Sequence, residues 1–189
     1  MSASVGTLLG AMAGYFGGAI DDVISRIVDV LLAFPGLLLA IALVAVLGPS
    51  LGNVLFALTI SGWVGYARLV RGQVLRAREF EYVQAARAAG AKTLRILWNH
   101  VIPTALPAVV VQATLGMAGA IIGEAALSFL GLGVQPPTPS WGTMLNGGRA
   151  HLLDAPHLTI FPELAIALLV LGFNFLGDGL RDAADPKSN

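Results

Sequence analysis

"TALPAVVVQATLGMAGAIIGEAALSFLGL", residues 104–132, holds one ionisable side chain, Glu124. A helix of about 20 apolar residues crosses the hydrocarbon of a bilayer, so this stretch is long enough to span. The remainder of the chain agrees. Its 189 residues are 56% hydrophobic and 12% charged, with a mean hydropathy of +0.79, against about a quarter charged in a soluble domain. Twenty-three glycines and ten prolines suit membrane helices better than soluble ones.

Four further segments approach spanning length: 3–20, 28–48, 51–69 and 159–180. The expected fold is therefore all-α, a polytopic bundle of about five transmembrane helices in a single domain over 1–189. In the first segment Gly6, Gly10 and Gly14 recur every fourth residue, a ladder that lets a second helix approach closely where lipid removes the hydrophobic drive. Pro35 should break the second segment near its start. The apolar first 20 residues have no Lys or Arg ahead of them and so lack the basic region of a signal peptide.

The net charge is zero, yet the basic residues are unevenly placed. With the 70–103 loop on the cytoplasmic side, Arg26, Arg68, Arg71, Arg76, Arg78, Arg87, Lys92, Arg95, Arg181 and Lys187 all lie inside, which is ten of eleven. Arg149 alone faces out. The positive-inside rule selects that orientation and puts the 133–158 loop outside.

Few features point to chemistry. The chain has no cysteine, which removes disulfides, thiolate metal sites and cysteine nucleophiles. "GAKT" at 90–93 lacks the glycine that a phosphate loop needs directly before lysine. His151 and His157 lie six apart without an acidic cluster to complete a metal site, and no catalytic triad or carboxylate pair is apparent. The expectation is a protein that is not an enzyme and carries neither metal nor cofactor. Glu124 stands out because an ionised side chain inside a span costs at least ~2.5 kcal/mol. It is either a hydrogen-bonded packing residue or part of a wet pathway. Glu163, after Pro162, suits the positive end of a helix dipole.

The loop "YVQAARAAGAKTLRILWNHVIP", 82–103, is basic and rich in alanine. Tyr82, Ala85, Ala86 and Ala89 recur at helical spacing and would form a small, shallow face suited to close docking. Gly90 ends that helix, since it can adopt positive φ at low cost. A second helix over 92–101 then leads to Pro103. Two readings stay open from these residues: a basic loop lying on anionic headgroups, or a helical knob offered to a cytoplasmic protein.

Gln84-Ala85-Ala86, three residues, Gly90, and then Ile102-Pro103 resemble the EAA loop of bacterial ABC importer permeases, E-A-A-x-x-x-G followed by I-x-L-P. Gln84 replaces the glutamate, His100 stands at the isoleucine position and Ile102 at the leucine position. "SFLGLGVQPPTPSWGTML" at 128–145, "FNFLGDGLRDAADPK" at 173–187 and "AGYFGGAIDD" at 13–22 narrow the resemblance to the C-type subunit of the dipeptide/oligopeptide/nickel permease family.

The resemblance implies a multi-pass protein of a bacterial or archaeal cytoplasmic membrane. It would pair with a second permease, two cytoplasmic ATPases and an extracytoplasmic binding protein, with no nucleic-acid partner. It would form the pathway for peptides or nickel complexes. Tyr82, Gln84, Ala85, Ala86, Ala89, Gly90 and Pro103 would belong to the ATPase-coupling loop, and Pro136, Pro137 and Trp141 to the face toward the binding protein. The family's usual N-terminal span has no counterpart in these residues, so a truncated remnant that does not transport is an alternative expectation. A secondary transporter is another, though it would call for several intramembrane ionisable groups where Glu124 stands alone.

Overall fold

The computed structural model describes residues 1–184; Lys187, counted above for orientation, lies outside them. Among the described residues the chain forms nine α-helices and no strand: α1 (Ser2–Phe16), α2 (Gly18–Leu32), α3 (Gly36–Leu47), α4 (Leu51–Ala77), α5 (Glu81–Ala88), α6 (Thr93–Ile96), α7 (Ile102–Phe129), α8 (Trp141–Gly148) and α9 (His157–Ala184). A π-helical turn, Leu97–Val101, joins α6 to α7 without a break, and a short 3-10 turn, Arg149–His151, follows α8.

Among the described residues three helices are long and apolar enough to cross a bilayer: α4, the continuous 93–129 helix, and α9. There are four if α2 and α3 form one broken span. Five segments approach that length in the sequence; α1, Ser2–Phe16, is not among these helices. The 28–48 segment is not one helix. It belongs to α2, which begins at Gly18, and to α3, and they are separated at 33–35. Pro35 has no N–H to continue the ladder and disfavours the helical region for the residue before it. The large apolar side chains left exposed along α9, among them Leu168 at 69% and Phe175 at 71%, are those that a bilayer solvates.

The chain divides into two compact units. The first takes Met1–Ala33, Gly62–Ala113 and the residues from Gly179, and the second Phe34–Ser61 and Thr114–Asp178.

In the first unit the glycine ladder meets α4 backbone to backbone. A Cβ on Gly6 or Gly10 would run into the carbonyl of Trp63 or Ala67, and one on Gly14 would lie 2.9 Å from the Arg71 carbonyl. The spacing of four on α1 thus matches a spacing of four on α4. α2 is amphipathic and lies along α4 through Val28, packed with Val64 and Ala67. Asp21 accepts two hydrogen bonds from Arg71, at 2.5 and 2.6 Å, and Asp29 accepts one from Arg68 at 2.9 Å. Arg78 donates to the Gly14 carbonyl at 3.0 Å. Of the orientation charges in and just after α4, Arg68, Arg71, Arg76 and Arg78, three are thus tied to specific acceptors. The core of this unit is Val70, Val74, Val83, Ile96, Leu97, Val101, Ala105 and their neighbours.

In the second unit Ala40 and Val44 of α3 pack on Val54, Ala57 and Leu127. The α3–α4 turn is closed by Asn53, whose amide donates to the carbonyls of Leu47 and Gly48 at 3.0 and 2.9 Å, while its own N–H donates to Ser50 Oγ. α9 starts at His157. Pro162 and Glu163 are consequently inside it, not at its first turn as the sequence suggested.

Candidate functional site: two short helices outside the long ones

The 70–103 loop is shorter than its hydropathy indicates. α4 continues to Ala77 because Val70, Val74 and Ala77 remain buried on one face, so the helical packing stripe outlasts the apolar run. The 92–101 helix is likewise not separate but runs into α7. What remains is 78–92, which carries α5.

α5 has no side-chain N-cap; its C-terminus does the structural work. Gly90 adopts φ +79°, its N–H donates to the Arg87 carbonyl at 3.0 Å, and the Ala91 N–H donates to the Ala86 carbonyl at 3.1 Å. This pair of bonds is a Schellman motif, and it ends the helix at the glycine as its sequence position implied.

Val83, fully buried, and Ala86, half-buried, seat α5 on the core together with Ala91. Ala86 therefore leaves the free face to which its spacing assigned it. Tyr82, Ala85 and Ala89 stay exposed. Val83 was missed as the anchor because in an eight-residue helix one valine among alanines makes no periodic signal.

Gln84 is exposed and donates from its amide to the Glu79 carbonyl at 3.3 Å, a bond an ionised glutamate could not donate. The Tyr82 ring stacks on His100, with centroids 6.2 Å apart and planes 26° apart, and its hydroxyl is 3.3 Å from Thr104 Oγ1. His100 sits in the π turn, where the Ile102 N–H donates to Leu97 O. The widened turn directly precedes Pro103, whose ring would clash with the carbonyl of Asn99 in a regular helix.

In the second unit, Glu124 is half-buried, five residues before the end of α7, and so nearer the helix end than the middle of a span. Ser128 Oγ donates to Glu124 Oε1 at 2.6 Å and accepts from the Val134 N–H at 3.1 Å. This ties the carboxylate to the chain leaving α7. The 133–158 segment carries α8 and the 3-10 turn after it. Ser140 and Thr143 form a reciprocal capping box at the start of α8, which stabilises a helix N-terminus.

α8 is seated by glycines. A Cβ on Gly142 would strike the Ala125 carbonyl, and one on Gly148 would lie 2.7 Å from Thr159. Asn146 donates to the Phe129 carbonyl. Pro136, Pro137 and Trp141 are exposed, Trp141 at 39%. His151 bonds Asp154, at 3.2 Å, rather than His157. Among the described residues no group of three His, Cys, Asp or Glu side chains could hold a metal.

Residues 6–189 match the family described as binding-protein-dependent transport system inner membrane component. The chain belongs to that family. It is a multi-pass membrane protein of the transport permease type, as its apolar helices require. It is 54% identical over 182 residues to the dipeptide transport system permease protein DppC of Alkalihalophilus pseudofirmus, covering 96% of this chain and 60% of that protein. To the glutathione transport system permease protein GsiD of Pectobacterium atrosepticum it is 51% identical over 183 residues, covering 97% and 61%. To GsiD of Escherichia coli O157:H7 it is 53% identical over 187 residues, covering 99% and 62%. The chain thus spans about three fifths of the length of the curated relatives it matches.

Asp21 and Asp29, the acidic partners of Arg71 and Arg68, were not singled out from the sequence. Their signal was present: two aspartates on one face of the amphipathic 18–32 stretch, opposite two arginines in α4.

Proposed function

We propose that this chain is a permease subunit of an ATP-binding-cassette importer. It contributes to the translocation pathway for short peptides, couples through α5 to cytoplasmic ATPase subunits, and meets an extracytoplasmic binding protein through the 133–158 segment. A second permease subunit completes the pathway. The chain itself hydrolyses nothing, and its membrane is the bacterial or archaeal cytoplasmic membrane. The relatives named for dipeptide and for glutathione transport support the peptide class.

One observation carries the reading: α5 is anchored on one side by Val83 and Ala86 and ended by Gly90, while Ala85 and Ala89 are left exposed. A short, rigidly terminated helix with a shallow exposed face can transmit a push from a partner. ATP-bound and ATP-free partners that hold it differently would then bias inward- and outward-open states.

The cysteine-free sequence makes the test direct. Ala85→Cys and Ala89→Cys should cross-link to an ATPase subunit in membranes, and Ala86→Cys, turned into the chain's own core, should not. Thr138→Cys should react with an impermeant thiol reagent on sealed cells, and Thr93→Cys only after the membrane is opened. Cross-linking at none of the three, where the ATPases co-purify, would remove α5 as the docking element. Labelling of Thr93→Cys in sealed cells would invert the orientation.

A further inference from the structure

Val83 and Ala86 hold α5 by apolar contact, which resists separation but has little directionality. Gln84 spends its amide on Glu79, on the α5 side. The backbone from α5 to α6 passes through Gly90 at φ +79°, with open space around it. A push on α5 could therefore be absorbed by sliding, unless something ties it to the long helix.

The contacts with direction are those of Tyr82. Its hydroxyl is 3.3 Å from Thr104 Oγ1, its ring lies on His100, and Thr104 Oγ1 donates to the His100 carbonyl at 2.6 Å. Among the described residues the buried His100 Nδ1 has no hydrogen-bond partner, so stacking on Tyr82, and no hydrogen bond at that nitrogen, orients the ring.

The place gripped is mechanically unusual. Leu97–Val101 is a π turn, and Pro103 and Pro107 follow within the same helix. Neither proline has an N–H for the ladder, so the base of α7 bends more easily here than a regular helix would.

We infer that Tyr82 is a positioning residue that clamps α5 to the π turn through His100 and Thr104, so that displacement of α5 is delivered to α7 at its most compliant point. The inference rests on α5 being the ATPase-coupled helix. It departs from the assignment of Tyr82 to the docking face itself.

The experiment uses the assembled transporter and reads three quantities: ATPase co-purification, ATP hydrolysis, and uptake of a radiolabelled alanyl dipeptide per ATP consumed. Tyr82→Ala should retain the ATPases and hydrolyse ATP, while uptake per ATP falls by about 2- to 30-fold, the range for residues along a coupling route. Tyr82→Phe keeps the ring and should restore most of that ratio. Thr104→Val should lower it less than Tyr82→Ala. Should Tyr82→Ala fail to assemble, Tyr82→Leu fills the space without an aromatic face and should show the same loss.

An unchanged uptake-to-ATP ratio in Tyr82→Ala, or in Tyr82→Leu, overturns the clamp. Loss of the ATPases in Tyr82→Ala with wild-type hydrolysis per retained complex makes Tyr82 a docking contact, which also overturns it but leaves the α5 reading standing. Failure of the parent protein to retain ATPases would instead strike at the coupling assignment itself.

Discussion

α5 and α8 are both eight-residue helices outside the long ones, and they are held by opposite means. α5 is seated by side chains: Val83 fills the core, and Ala86 and Ala91 close over it. Its order comes from its C-terminus, where backbone groups alone make the Schellman bonds at Gly90. α8 is seated by missing side chains, at Gly142 and Gly148, and its order comes from its N-terminus, where Ser140 and Thr143 cap each other's backbone. Side-chain seating leaves the opposite face free and forgives small changes. Glycine seating brings backbones together and forgives none.

Substitutions can break that contrast. The largest effect is expected at Gly142→Val, because the added Cβ would meet the Ala125 carbonyl and lie 2.6 Å from Ser128 Cβ. Backbone cannot retreat as a flexible side chain can, so a loss of about 3 kcal/mol is expected, read as a lowered Tm of the purified protein in detergent.

Val83→Ala should cost less, about 2 kcal/mol, by leaving a small cavity under α5. Hydrogen exchange should quicken in 81–91 and leave 141–148 unchanged. A quickening in both would mean the two helices are not held independently.

The termini offer a matched pair. Ser140→Ala removes the α8 cap at about 1 kcal/mol, and Gly90→Ala forces a side chain into positive φ at a similar ~1 kcal/mol. Circular dichroism is too coarse for either, but residue-resolved exchange should place the first loss in 141–144 and the second in 86–91. The smallest effect is reserved for Ala89→Ser on the free face of α5, within ~0.5 kcal/mol of the parent. A stability loss comparable to that of Val83→Ala would show that this face is covered within the chain.

Much of the fold was legible along the chain because it depends on neighbours. The lengths of the apolar runs named α4, α7 and α9. Gly90 announced the end of α5, since positive φ is a property of one residue. The spacing of Gly6, Gly10 and Gly14 announced a close helix contact. Pro35 marked a break.

The misreadings share a cause. Hydropathy ended α4 before Ala77, because apolar averages fall once arginines enter, although Val74 and Ala77 go on packing. The α5 face was misjudged at Ala86, because alanines at 85, 86, 88 and 89 leave no periodicity to choose between faces.

The sequence by itself determined that the chain is helical and membrane-spanning, where its helices are interrupted, and which family it resembles. These follow from side-chain hydropathy, from the special backbones of glycine and proline, and from motifs contiguous in sequence. The tertiary structure alone decided which α4 groups face Gly6, Gly10 and Gly14, that Asp21 and Asp29 bond Arg71 and Arg68, and that Ser128 joins Glu124 to Val134. It alone turned Ala86 inward and set Tyr82 against His100. Each of these is a meeting of groups from different elements or turns, and it depends on distances in space that no local preference encodes.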